Sequence, residues 1–109
     1  MKTVEQAYEK IAQEIIAHTG PSWDQVVLQT KIYEKNCGAM TFVLTSKGIQ
    51  KNLDLPMPAI FQVSDACVFL RDDLLKTTDE RIWGLTYALQ STGKLKIDYD
   101  YNKPTGYED

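Results

Sequence analysis

The sequence holds little from which to build a reactive centre. It has one histidine, His18, and two cysteines, Cys37 and Cys67, with no CxxC spacing, which is poor material for a zinc site. Two cysteines form at most one bridge. Nothing else points to an oxidising compartment, so both are expected as free thiols. No apolar run approaches the ~20 residues of a membrane span. The leading MKTVEQAYEKIAQEII interleaves acidic and polar residues with apolar ones. It lacks the apolar stretch and small-residue cleavage site of a secretory signal, so a cytoplasmic protein is expected, with no membrane partner. Basic residues are not in excess: 12 Lys and Arg against 15 Asp and Glu leave a net charge of −3 and a pI near 5.1. That balance argues against nonspecific nucleic-acid binding and favours a basic partner over an acidic one.

What is present is material for one core. The 109 residues are 43% hydrophobic and 25% charged, a soluble globular composition that predicts a single domain over residues 1–109. Val4, Ala7, Tyr8, Ile11, Ala12, Ile15 and Ile16 form the stripe of an amphipathic helix, with Thr3 and Gln6 spaced as a capping box. Gly20-Pro21 stops this helix, and His18 in its last turn meets the negative end of the helix dipole. From Asp24 to Lys35 the period becomes two, with Val26, Leu28, Thr30 and Ile32 on one face, which predicts a strand. Asn36-Cys37-Gly38 supplies a turn into a second strand over Ala39 to Thr45, and Ser46-Lys47-Gly48 turns into a third over Ile49 to Leu55. That strand is expected to end at Pro56 and Pro58, which cannot donate to a ladder. Ser64 is read as the cap of a second helix reaching about Lys76, with Asp65 in its first turn. Trp83, Leu85, Tyr87 and Leu89 then alternate as a strand. Ser91-Thr92-Gly93 forms a hairpin loop, and Leu95, Ile97, Tyr99 and Tyr101 alternate against Lys94, Lys96, Asp98 and Asp100. The expected fold class is α+β: two helices packed on an antiparallel sheet of a three-strand meander plus a C-terminal hairpin. The tail from about residue 102 is expected to be mobile.

The chemical inventory points away from catalysis. His18 is better explained as a helix-end cap than as half of a Cys-His pair. Gly38, Gly48 and Gly93 sit at turns and open no phosphate loop. Asp98 and Asp100, two apart on a strand, project from one face. Such a pair has the chemistry of a Mg²⁺ site or an acid-base pair, but a divalent site wants further oxygen ligands, so no metal and no cofactor is expected. The plainer reading is a solvated face diluted by Lys94 and Lys96 in the same row. Asp72 and Asp73 are likewise surface charges unless a partner covers them. Most of the aromatic residues of the last hairpin are expected in the core, as is Trp23, whereas Tyr101 and Tyr107 beside carboxylates suit a protein interface.

The final hairpin, LTYALQSTGKLKIDYDY from Leu85 to Tyr101, resembles the C-terminal signature of the YezG-like antitoxin, or immunity-protein, family. Leu85, Thr86 and Tyr87 match its Leu-Thr-aromatic strand. Ser91, Gly93 and Lys94 match its turn, and Lys96, Ile97, Asp98, Tyr99, Asp100 and Tyr101 match its last strand. The leading helix, the meander, the proline after the third strand and the Val63-Ser64 helix start are similar in layout. The chain departs in one respect: the family has a longer helical segment before the hairpin, while here Asp65 to about Arg81 is available.

The resemblance implies a small cytoplasmic protein that binds and neutralises a toxin domain delivered between competing bacteria, as in contact-dependent growth inhibition, in many cases a nuclease. A nuclease cleft is basic, and an acidic inhibitor steers to it. The implied action is stoichiometric, without catalysis. The residues expected to meet the toxin are Asp98, Asp100, Tyr101, Tyr107, Glu108 and Asp109, with Asp72 and Asp73 as a second acidic patch. The rival reading is an adaptor domain that binds a protein unrelated to toxins.

Overall fold

The apolar stripe at the N-terminus folds as α1 (Val4–Thr19), with Ala7, Ile11 and Ile15 fully buried. The structure is a computed structural model that describes residues 2–35 and 37–103. Thr3 caps α1 as the spacing predicts, its hydroxyl accepting the Gln6 N–H at 3.1 Å. The Gln6 side chain reaches one residue further than a capping box requires, taking the Lys2 N–H at 2.7 Å. Ile16, at the edge of the stripe, faces solvent. His18 ends the helix with Nδ1 at 2.9 Å from the Glu14 carbonyl.

Five strands follow the expected order: β1 (Gln25–Ile32), β2 (Cys37–Ser46), β3 (Ile49–Asn52), β4 (Gly84–Gln90) and β5 (Leu95–Asp100). They form one antiparallel sheet in the order β3-β2-β1-β4-β5, so the meander and the C-terminal hairpin join through β1 and β4. The fold is therefore α+β, as the sequence predicts. Val26, Leu28 and Ile32 of β1, Phe42 and Leu44 of β2, and Leu85, Tyr87 and Leu89 of β4 carry the core on one face. Both helices pack on that face. Tyr87 donates its hydroxyl to the Tyr8 carbonyl of α1 at 2.8 Å, and the Tyr8 and Tyr99 hydroxyls hydrogen-bond each other. Tyr87 and Tyr99 thus hold α1 to the last hairpin. Trp23 packs against the core, as expected.

Four boundaries differ from expectation, each for a local reason. The second helix, α2 (Met57–Thr78), begins at Met57 rather than near Ser64. Pro56 is its cap residue and Pro58 lies in its first turn, where a missing N–H has no intrahelical partner to lose. This 22-residue helix supplies the longer helical segment that the sequence reading found missing. β1 stops at Ile32 instead of Lys35 because the buried Arg71 of α2 takes the next carbonyls. Its Nη1 donates to the Tyr33 carbonyl and, at 2.7 Å, to that of Glu34. β3 stops at Asn52 because the chain turns up to the helix layer, burying Leu55 in the core. Finally, Trp83 precedes β4 and lies outside the main core cluster, where Ile82 is buried instead. The Arg81 guanidinium lies 3.6 Å from the Trp83 ring centroid, a cation-π stack.

The expected turn at Asn36-Cys37-Gly38 is also displaced, although Asn36 itself lies outside the described residues. Cys37 and Gly38 already pair in β2, opposite Ile32 and Lys31. Between the Gln29↔Thr41 and Lys31↔Gly38 pairs, β2 spends one residue more than β1, which makes a bulge. Ala39 sits in it at φ 49°. The bulge reverses the alternation, so that Cys37 joins the core face.

Candidate functional site

The second face of the sheet carries no helix among the described residues. Its rows are read from the register: Val27, Gln29 and Lys31 of β1 lie between Val43 and Thr41 of β2 and Ala88, Thr86 and Gly84 of β4. Lys96, Asp98 and Asp100 of β5 complete the rows. Apart from Lys31, the centre of this surface is uncharged, and the remaining charge of these rows is collected on the β5 edge.

Along that edge the charge is sorted. Lys94 and Lys96 lie beside a recess of about 270 Å³ that they line with Gln25, Ala88, Gln90 and Leu95. At the opposite end of the strand, Asp100 borders a larger recess of about 430 Å³, whose other walls include Gln29, Lys31, Thr41, Gly84 and Thr86. Gly84 is the floor of this second recess. A Cβ there would come within 2.8 Å of the Thr30 carbonyl oxygen, so the β1–β4 register admits only glycine without a backbone shift. With no side chain at Gly84, Lys31 reaches across it and brings Nζ to 3.5 Å from Asp100 Oδ2.

The expected site residues separate into three groups. Asp98 and Asp100 do project from one face, as the strand alternation predicts, but their environments differ. Asp100 accepts the Asn102 N–H at 2.9 Å, and this bond, reinforced by Lys31 and opposed by slight desolvation, holds its carboxyl below the usual carboxylate range. Asp98 is exposed, with neither hydrogen bond nor ion pair among the described residues. Tyr101 follows directly and is 50% exposed, beside the pair. Asp72 and Asp73 lie in the helix layer, across the sheet from Asp98 and Asp100, so the structure does not join the two acidic patches. Asp72 already serves the fold, since Arg71 donates to its Oδ1 from Nε at 3.0 Å and from Nη2 at 2.9 Å. Tyr107, Glu108 and Asp109 lie outside the described residues, as does most of the tail expected to be mobile from about 102.

Sequence reasoning missed Lys31, Thr41, Gly84 and Thr86 as neighbours of Asp100. Lys31 is on the outward face of a correctly assigned strand. What was lacking was the strand order, which sets β1 rather than β3 next to the final hairpin. Arg71 gave a weaker signal still, since a lone arginine in an amphipathic helix reads as solvated until the loop it braces is seen.

Among the described residues no group of three or more His, Cys, Asp or Glu is placed to hold a metal ion, and no helix is long and apolar enough to cross a membrane. The arrangement offers a shaped, partly charged surface for another macromolecule. A family model described as immunity protein YezG-like matches residues 4–109. No curated protein matches the chain.

Proposed function

The chain belongs to the YezG-like immunity protein family, and from that premise we propose that it neutralises a cognate toxin domain by stoichiometric binding, with no catalytic step of its own. The toxin proposed is a basic nuclease passed between competing bacteria, met in the cytoplasm of the protected cell. The observation that carries the reading is the family match over nearly the whole chain, helices and sheet included.

The contact surface proposed is the uncovered sheet face at the Asp100 end of β5. Three features support it. Asp98 is a carboxylate in solvent with no partner among the described residues, so a toxin cation can approach it without displacing a contact to any of them. Asp100 stays ionised at any neutral pH. Tyr101 adds a half-exposed ring of the amphipathic kind that interfaces favour. Tyr107, Glu108 and Asp109 follow in the same chain direction and are proposed to extend this contact. Asp72 and Asp73 then form a separate patch, reached only by a partner that wraps the molecule.

The test is co-expression with the product of the neighbouring gene, followed by affinity measurement on any complex recovered. Asp98→Asn is the diagnostic variant because its charge is exposed and pairs with no described residue. It is expected to weaken toxin binding by about 1.5 kcal/mol or more and to flatten the salt dependence of association. Affinity and salt dependence both unchanged would remove this face from the interface. A partner without toxic activity would favour the adaptor reading.

A further inference from the structure

The two cysteines, distant in sequence, meet in the core. The bulge at Ala39 turns Cys37 inward, opposite Ile32 and against α2. There its N–H donates to Ser64 Oγ at 3.2 Å and its Sγ lies 3.8 Å from the Ser64 carbonyl. Cys67 stands one turn further along α2, on the face that packs into the core, and is completely buried. With Cys37 held against Ser64 and Cys67 three residues further along the same helix, the two thiols are neighbours at the core, near enough for each to perturb the other's ionisation. Both are free thiols in the structure.

From this geometry we infer that Cys37 and Cys67 are a thiol-disulfide modification site, which a low-molecular-weight disulfide of the glutathione type converts to an internal bond between β2 and α2. A pair of cysteines used only as small apolar fillers needs no such pairing of one thiol with the other.

The two thiols have unequal roles. Cys37 is half-buried and so within reach of a small reagent. The neighbouring Cys67 thiol, with smaller help from Ser64, Thr30 and the charge of Arg71, lowers its pKa against the opposing effect of burial. Cys67 is shifted the other way, by Cys37 beside it and by desolvation. Cys37 is therefore the attacking sulfur. Its thiolate displaces one thiolate from the oxidised reagent and leaves a mixed disulfide on Cys37. Cys67 then loses its proton to solvent and attacks the Cys37 sulfur, releasing the second reagent thiol. Two protein thiols and one reagent disulfide become one protein disulfide and two reagent thiols.

The bond closes a loop of about 30 residues that contains the bulge, β3 and the first half of α2, and it limits the unfolded chain accordingly. The inference is independent of toxin binding, since neither sulfur lies on the uncovered face.

The experiment equilibrates the full chain in oxidised and reduced glutathione and follows intact mass, free thiols and melting. The wild type is expected to lose two hydrogens as a monomer, with both thiols disappearing together, and its Tm to rise by about 10 °C. Cys67→Ala is expected to stop at a single glutathione adduct on Cys37, and Cys37→Ala to remain unmodified while folded. Wild-type protein that accumulates the Cys37 adduct, forms cross-linked dimers, or closes the bond only in denaturant overturns the inference. So does an oxidised form that melts below the reduced one. These wild-type readouts hold even where a variant fails to fold.

Discussion

Asp100 shows how one carboxylate can serve the fold and a surface together. Its depressed pKa comes first from the Asn102 N–H and then from Lys31. A group whose folded pKa lies below its unfolded value adds stability above the unfolded pKa, and that stability is lost as pH falls through the folded value. Asp100→Asn is therefore expected to lower Tm slightly at neutral pH, with the difference from wild type shrinking once pH falls below the ordinary carboxylate range. A melting series from neutral to strongly acidic pH checks this, and a difference that persists in acid contradicts it. Ala39 makes the opposite case, a residue at odds with its backbone. Held at φ 49°, it carries the left-handed cost of a Cβ, and glycine relieves that cost at a smaller penalty in chain entropy. Ala39→Gly is expected to stabilise the fold by about 0.5–1 kcal/mol in denaturant unfolding. Arg71 is the buried charge the fold cannot lose easily, because its guanidinium serves two loop carbonyls as well as Asp72. Arg71→Met is expected to cost about 2 kcal/mol by leaving those carbonyls without their donor.

At the scale of elements, the strands and α1 were legible because one face of each is dry and the other wet, and that contrast is written in the alternation of Val26, Leu28 and Ile32 and in the stripe of Ala7, Ile11 and Ile15. The start of α2 was not legible, because proline serves both as a strand terminator and as a helix opener and only the packing of Ala59 and Val63 decides between them. The break at Trp83 was hidden for a related reason: its parity matches Leu85 and Tyr87, yet the cation-π partner that keeps it at the margin is two residues away. Of the candidate site, the one-faced Asp98 and Asp100 pair could be read from the strand alone. The recess beside it could not, since it arises where β1 and β4 meet, a pairing set by topology. That junction yields its own expectation. Gly84→Ala forces a Cβ to within 2.8 Å of the Thr30 carbonyl unless the strands part. It is expected to destabilise by about 1–3 kcal/mol, read from the unfolding midpoint, and to fill part of the recess.

On the scale of the whole molecule, the layers divide the labour. The helices and the inner sheet face bury the core, and Tyr87 and Tyr99 are spent on locking α1 to the hairpin. The outer face carries no helix among the described residues and is the one proposed for recognition. A net charge of −3 is modest, and for the basic partner proposed here the sorting of lysines to one end of β5 and aspartates to the other is expected to orient the encounter more than the total charge does. Neutralisation by binding through that face is the function we propose. The measurement that tests it titrates the cognate toxin domain with the purified protein while following toxic activity and complex size together. Stoichiometric neutralisation requires that activity fall linearly and end at one protein per toxin, with a stable complex of that composition. Activity that persists at excess protein, or that disappears at amounts far below equivalence as a catalytic antidote would produce, contradicts it.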